Sequence, residues 1–290
     1  MPSNLVSIKR LIKSKHQMMS QKLLLFLILS TSTALYSAPS LIAPTLDSSV
    51  KSDISQLIKS ALSGNHESQF ELGLAYEDGD GVVKNPKEAI KWYELSSLKG
   101  NVKAQTNLGV IYFVGVGTER NDIEAVRLFK IAATKGSPKA QFYMGFAYEY
   151  GYGVVIDKIE SLRWYKSAAL QGYTRAQYAL GSIYYEGEGV EKDLVEAAQW
   201  TCLAALQGNI DAQYNIGRMY YLGEGVDVDK LKAYYWFDIA ANSGDEISKK
   251  HRGNLAKSLG EDSIKKISNF SAECPKSLIS IIEKSYANEK

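Results

Sequence analysis

Histidine and cysteine are scarce in this 290-residue chain, with three of the first and two of the second. His16, His66 and His251 stand far apart, whereas a metal ion needs clustered ligands, so no metal site is expected. Cofactor motifs are missing too. The recurring Gly-x-Gly pairs follow no strand pattern and lead to no Lys-Ser, which excludes a phosphate-binding loop. There is no Gly-x-Ser-x-Gly elbow, and no nucleophile, base and orienting acid can be assembled, so no catalytic residue is assigned and the chain is not read as an enzyme. Glu186 and Glu188, and the basic run Lys249-Lys250-His251-Arg252, read as solvated surface. A net charge of +2 and a pI near 8.2 lack the concentrated positive charge that phosphate backbones attract, which excludes nucleic acid as a partner.

Long apolar runs are also missing. Leu23–Leu29, reading LLLFLIL, is far shorter than the ~20 residues of a spanning helix. Before it come Lys9, Arg10, Lys13, Lys15 and Lys22 with no acidic residue, and small polar residues follow it, in the order of a secretory signal. Ser32 and Ala34 put small residues at −3 and −1 of a cleavage site after Ala34, and translation from Met18 or Met19 would give a more compact signal. Residues 1–34 are therefore expected to be a signal peptide and 35–50, with Pro39 and Pro44, a linker. The mature chain should lie in the periplasm, with no membrane span.

What the chain has in abundance is repetition. Gly64, Gly100, Gly136, Gly172, Gly208 and Gly244 are spaced by 36 at every step (100 − 64, and so on). The same step relates Leu72-Gly73, Leu108-Gly109, Met144-Gly145, Leu180-Gly181 and Ile216-Gly217, as well as five Gly-x-Gly pairs from Gly79/Gly81 to Gly223/Gly225. It also relates Tyr76, Tyr112, Tyr148, Tyr184 and Tyr220, and the position of Trp92, Leu128, Trp164, Trp200 and Trp236.

Each period reads as two helices. Helix A opens on an N-cap at Asn65, Asn101, Ser137 or Asn209, with Pro138 at a first helical position, and it ends where Gly-x-Gly accepts a left-handed backbone. Helix B opens on Asn85, Asn121, Asp157, Asp193 or Asp229. Glu88, Glu124, Glu160 and Glu196 lie three residues after the first four, a spacing at which the carboxylate reaches back to the N-cap amide. Ala104, Leu108, Ile111, Tyr112 and Gly115 form one stripe of helix A, and Ala125, Leu128 and Ala132 one stripe of helix B. A lone repeat cannot bury both stripes, but stacked repeats can. The fold expected is an all-α solenoid of helix-turn-helix repeats.

The pattern A-Q-x-x-L-G-x-x-Y-x-x-G-x-G-V, a D/N cap, then E-A-x-x-W-x-x-x-A-A-x-x-G resembles the Sel-1-like repeat of the tetratricopeptide-like solenoids. Ala176 to Val190 and Ala197 to Gly208 follow it nearly letter for letter. The resemblance implies a right-handed α/α superhelix over residues 51–260, with full repeats at 65–100, 101–136, 137–172, 173–208 and 209–244. It also implies an adaptor or scaffold role, with some family members binding host proteins and others neutralising secreted effectors. The partner it implies is a protein or peptide of the envelope, bound by a monomer without cofactors. An immunity protein, a secreted binder of host protein and an enzyme acting on cell-wall peptide or glycan are the alternatives.

At the ends, Asp53–Ser63 reads as a degenerate helix B covering the first repeat, and residues 261–290 as capping helices at Ser263–Phe270 and Lys276–Ala287. Cys202 takes a place filled by Glu94, Lys130, Lys166 and Asp238 elsewhere, so it should point away from the core. Cys274 lies two periods on. In a regular array, helices ~9 Å apart would hold these sulfurs on the order of 20 Å apart, so the candidate disulfide Cys202–Cys274 requires the tail to fold back.

The helix-A positions opposite the packed stripe should line the inner, concave curve and carry specificity. They are Glu71, Leu74 and Asp78 in repeat 1, Asn107, Val110 and Val114 in repeat 2, and Tyr143, Phe146 and Tyr150 in repeat 3. Repeat 4 gives Ala179, Ser182 and Glu186, and repeat 5 gives Asn215, Arg218 and Leu222. The rings of repeat 3 either anchor a partner or pack between adjacent A helices.

Overall fold

A computed structural model describes residues 48–265 together with Ile267 and Cys274. The expected signal at 1–34, most of the linker at 35–50 and the expected helix at Lys276–Ala287 lie outside the described residues. Among the described residues there are thirteen helices and no strand. They are α1 (Ser48–Leu62), α2 (His66–Asp78), α3 (Pro86–Leu98), α4 (Val102–Val114), α5 (Asp122–Thr134), α6 (Pro138–Tyr150) and α7 (Lys158–Leu170), followed by α8 (Thr174–Glu186), α9 (Leu194–Leu206), α10 (Ile210–Leu222), α11 (Lys230–Asn242), α12 (Glu246–Leu259) and α13 (Glu261–Lys265). From α2 onward each helix packs on the next, in the manner of a helix-turn-helix repeat solenoid. α1 begins at Ser48, inside the segment read as linker. Its Ile54, Leu57, Ile58 and Ala61 pack with Leu72, Ala75 and Trp92 of the first repeat. Of the caps expected beyond Gly260, only the short α13 falls within the described residues.

The helix starts follow the caps. Asn65, Asn101, Ser137 and Asn209 accept from the third backbone N–H of their helices, and Tyr173, which has no suitable oxygen, leaves α8 without a side-chain cap. All five B helices open on the expected Asn or Asp. The reach-back of the glutamates is corrected. The N-cap amides of Asn85, Asn121, Asp157, Asp193 and Asp229 instead donate to the carbonyls of Tyr76, Tyr112, Tyr148, Tyr184 and Tyr220 in the preceding helix. With that donor taken, Glu88, Glu124 and Glu160 pair with Lys91, Arg127 and Arg163, and Glu196 accepts from the Trp200 indole.

The core is built from rings set against glycine. Tyr93, Phe129, Tyr165 and Phe237, each one residue past the Trp/Leu position, are fully buried against Gly73, Gly109, Gly145 and Gly217, and Thr201 meets Gly181 in the fourth repeat. A Cβ on Gly145 would lie 2.7 Å from the Tyr165 ring. The corresponding residue in α12, Gly253, has nothing within 4 Å. Glycine inside a helix normally costs up to ~1 kcal/mol against alanine, while forcing a methyl into a packed site costs about 1–3 kcal/mol. Gly253→Ala is therefore expected to stabilise by about 0.5–1 kcal/mol and Gly145→Ala to destabilise by about 1–2 kcal/mol. Thermal melts of the two variants check the opposite signs, and two shifts of one sign contradict the packing.

A second recurring residue joins repeats. Gln69, Gln105, Gln141, Gln177 and Gln213, all buried, donate from Nε2 to the carbonyls of Ala61, Ser97, Ala133, Ala169 and Ala205 at the end of the previous helix. In two repeats the amide oxygen is matched as well, since Gln171 donates to Gln141 and Gln207 to Gln177.

Candidate binding face on the A helices

The A helices α2, α4, α6, α8 and α10 turn their recurrent Leu, Ile, Ala and Gly inward, and what remains on the opposite side differs from repeat to repeat. Of the residues expected there, Glu71, Asp78, Ser182, Glu186 and Leu222 are exposed, and Tyr150 is 39% exposed. Leu74, Asn107, Val110, Val114, Ala179, Asn215 and Arg218 are half-buried.

Tyr143 and Phe146 are the correction. They are only 3% and 2% exposed, which removes them from any contact surface. Tyr143 stacks on Phe129 with centroids 4.8 Å apart, and Phe113 of α4 meets both Tyr143 and Phe146 at about 6 Å. Tyr152, in the loop after α6, closes over Phe113 and Phe146. The Arg120 guanidinium lies over the Phe113 and Tyr152 rings while both Asp122 oxygens accept from it at 2.7 and 2.9 Å. The aromatic excess of the third repeat thus joins it to the second. Burial pushes the Tyr143 phenol up to about 12.

Charge on this side is mostly organised between neighbouring repeats. Arg218 pairs with Glu224 at 3.2 Å and lies over the Tyr185 ring, whose hydroxyl donates to the same carboxylate. Asn215 donates to the Tyr178 hydroxyl. Glu188 holds Lys158 at 3.0 Å. Half-buried nearby is Glu149, which accepts from Tyr165 at 2.6 Å. Burial pushes its carboxyl above the usual range against the effect of that hydrogen bond.

One row was missed in the sequence: Glu67, Lys103, Lys139, Arg175 and Asp211, one turn before the Glu71/Asn107 position and related by the same 36-residue step (103 − 67). Glu67 pairs with Lys103 at 3.0 Å, whereas among the described residues Lys139 donates to the neutral Asn107 Oδ1 at 3.0 Å. The sign change along the row was the available signal.

Elsewhere, among the described residues no group of three or more His, Cys, Asp or Glu could hold a metal ion, and no helix is long and apolar enough to cross a membrane. The basic run of α12 is less solvated than expected, because His251 stacks on Phe237 and Arg252 pairs with Asp238 at 2.8 Å. The candidate disulfide is present: Cys202 is bonded to Cys274, with the two Cα atoms 5.7 Å apart, and is fully buried.

The Sel1 repeat model matches residues 66–101, 102–137, 138–173, 174–209 and 210–245. The repeat protein of Oxalobacter formigenes is 31% identical with a TM-score of 0.68, over 76% of this chain and 93% of that one. A protective antigen of uropathogenic Escherichia coli with the same repeat fold is 33% identical with a TM-score of 0.69, over 75% of this chain. That match spans only 47% of the antigen's own chain. No curated protein is matched in sequence.

Proposed function

This chain belongs to the Sel1 repeat family, and from that premise we propose that it is an exported protein-binding solenoid, acting as adaptor, scaffold or inhibitor in the bacterial envelope. The observation that carries this reading is a contrast within four of the five A helices. The recurrent positions pack inward, while Glu71 and Asp78 of α2, Tyr150 of α6, Ser182 and Glu186 of α8 and Leu222 of α10 stay accessible and differ from repeat to repeat. Varied side chains on a rigid repeated frame are suited to recognising one extended partner, and the reading assigns no catalysis. Export is supported by the basic, apolar and small-residue order of positions 9–34. It is also supported by Cys202–Cys274, a kind of bond that persists in oxidising compartments.

The mature protein used as bait in its own envelope extract is expected to retain a partner that Ser182→Arg with Glu186→Lys releases. Lys130→Glu with Arg163→Glu, on the outer side of the B helices, should leave it bound. Release by the second pair and not the first would contradict the reading. The exported chain is expected to begin at Leu35 by intact mass, and a form that keeps Leu23–Leu29 would contradict export with cleavage.

A further inference from the structure

Six exposed aliphatic side chains gather on the edge where helix A turns into helix B. Ile123, Ile159 and Val195 hold the second position of α5, α7 and α9, one 36-residue step apart (159 − 123). Val155, Ile156 and Val228 stand in the turns before α7 and α11, Val155 being 87% exposed. The turns seat on the helix starts. A Cβ on Gly153 would lie 3.1 Å from the Ile123 nitrogen, and one on Gly225 2.9 Å from the Val195 nitrogen. Val155 and Ile156 thus belong to the turn that meets Ile123, and Val228 to the turn that meets Val195. Exposed apolar side chains joined in this way mark a contact surface, whereas single scattered ones do not.

Charge on this edge has one sign in excess. Residues 115–124, 151–160, 187–196 and 223–232 carry twelve Asp and Glu against five Lys and Arg. Arg127, Arg163 and Arg218 pair into them from outside, which leaves four negative charges (12 − 5 − 3). Most of the cations are engaged, Arg120 by Asp122, Lys158 by Glu188 and Lys232 by Asp229. Glu119, Glu191 and Asp227, at one position of three turns, are exposed and have no ion-pair partner among the described residues. We propose that this edge binds an extended segment of a partner protein in which aliphatic side chains are interspersed with lysine or arginine. A second copy of the chain, related by a two-fold axis, would bring the acids against themselves. An anionic lipid surface would be repelled by them. A cationic and aliphatic segment answers both features at once, covering the strip and placing its charges beside the three unpaired acids. Repeats ~9 Å apart match three residues of an extended chain at ~3.3 Å each, so the aliphatic residues should recur at every third position. The inference goes beyond the A-helix reading and does not rest on it, since no residue used here belongs to that face.

The test uses the full chain and three heptapeptides blocked at both ends. The first has leucine at positions one, four and seven, lysine at two and five, and serine elsewhere. The second replaces its lysines by glutamate, and the third its leucines by serine. Methyl NMR signals of Ile123, Ile159 and Val195 are expected to shift saturably with the first peptide and with neither of the others. Ile123→Ser with Ile159→Ser should weaken binding of the first peptide by at least about tenfold. This variant should melt as the wild type does, because both side chains are already exposed. Glu119→Gln, Glu191→Gln and Asp227→Asn together should also weaken binding and make it less dependent on salt. An equal response to all three peptides, none to the first, or unchanged binding by the Ile123 and Ile159 variant would each overturn the inference. Methyl shifts on concentrating the chain alone would place a second copy on the edge, and shifts with anionic vesicles a membrane. Either result overturns it as well.

Discussion

Gly225→Ala is expected to destabilise the fifth repeat by about 3 kcal/mol or more, although the residue lies in a surface turn. Two costs add. Its φ of +73° is a left-handed backbone that an L side chain adopts at about 1–2 kcal/mol. A Cβ there would also fall on the Leu194 carbonyl oxygen of the preceding repeat, so backbone has to move and not merely a rotamer. Gly117, Gly153 and Gly189 likewise meet the first residue of the helix B before them, Pro86, Asp122 and Lys158, whereas Gly81 makes only an ordinary 3.5 Å contact with Ile54 inside α1. The first glycine closes helix A as its C-cap, and the second lets one repeat seat on the last. The loss should therefore appear as weakened coupling between repeats, since solenoid stability is a sum of repeat and interface terms. Denaturant unfolding is the check. A cost below about 1 kcal/mol, no more than an ordinary surface change, would contradict the contact.

Cys202→Ser is the second large effect. The bond closes a span of 72 residues, for which the chain-entropy account gives about 4 kcal/mol. The loss should be local. Hydrogen exchange is expected to quicken in α10 to α13, which lie within the closed span, and to stay unchanged in α2 to α5. Reductant should reproduce the effect in the wild type and add nothing to the variant. Exchange that quickens equally in α2 would show instead that the bond supports the whole array.

The features that were legible in the sequence are those decided within one repeat. The 36-residue step, the N-caps and the left-handed glycines each depend on a few neighbouring residues, and all stand where the spacing put them. What was not legible depends on side chains a repeat away. Phe146 occupies the register of exposed Ser182 and Tyr143 that of half-buried Ala179, but Phe113 packs against both rings and Tyr152 closes over Phe146. Cys202 shares a register with exposed Glu94, Lys130 and Lys166 and is nonetheless buried, bonded to Cys274. The glutamate reach-back failed for a related reason, since the helix-B amide was already taken by a carbonyl of helix A. One long-range feature does show in the sequence afterwards. Tyr93 and Tyr165 each find Glu77 or Glu149 sixteen residues earlier (93 − 77), whereas Phe129, lacking a hydroxyl, finds Phe113.

The central claim is that a partner lies along the accessible side of the A helices. A photo-crosslinking side chain at Ser182, on that side, and another at Lys130, on the outer side of a B helix, test it in the full chain. The account predicts a protein adduct from position 182 and none from 130. Adducts from 130 alone, or equally from both, would contradict it.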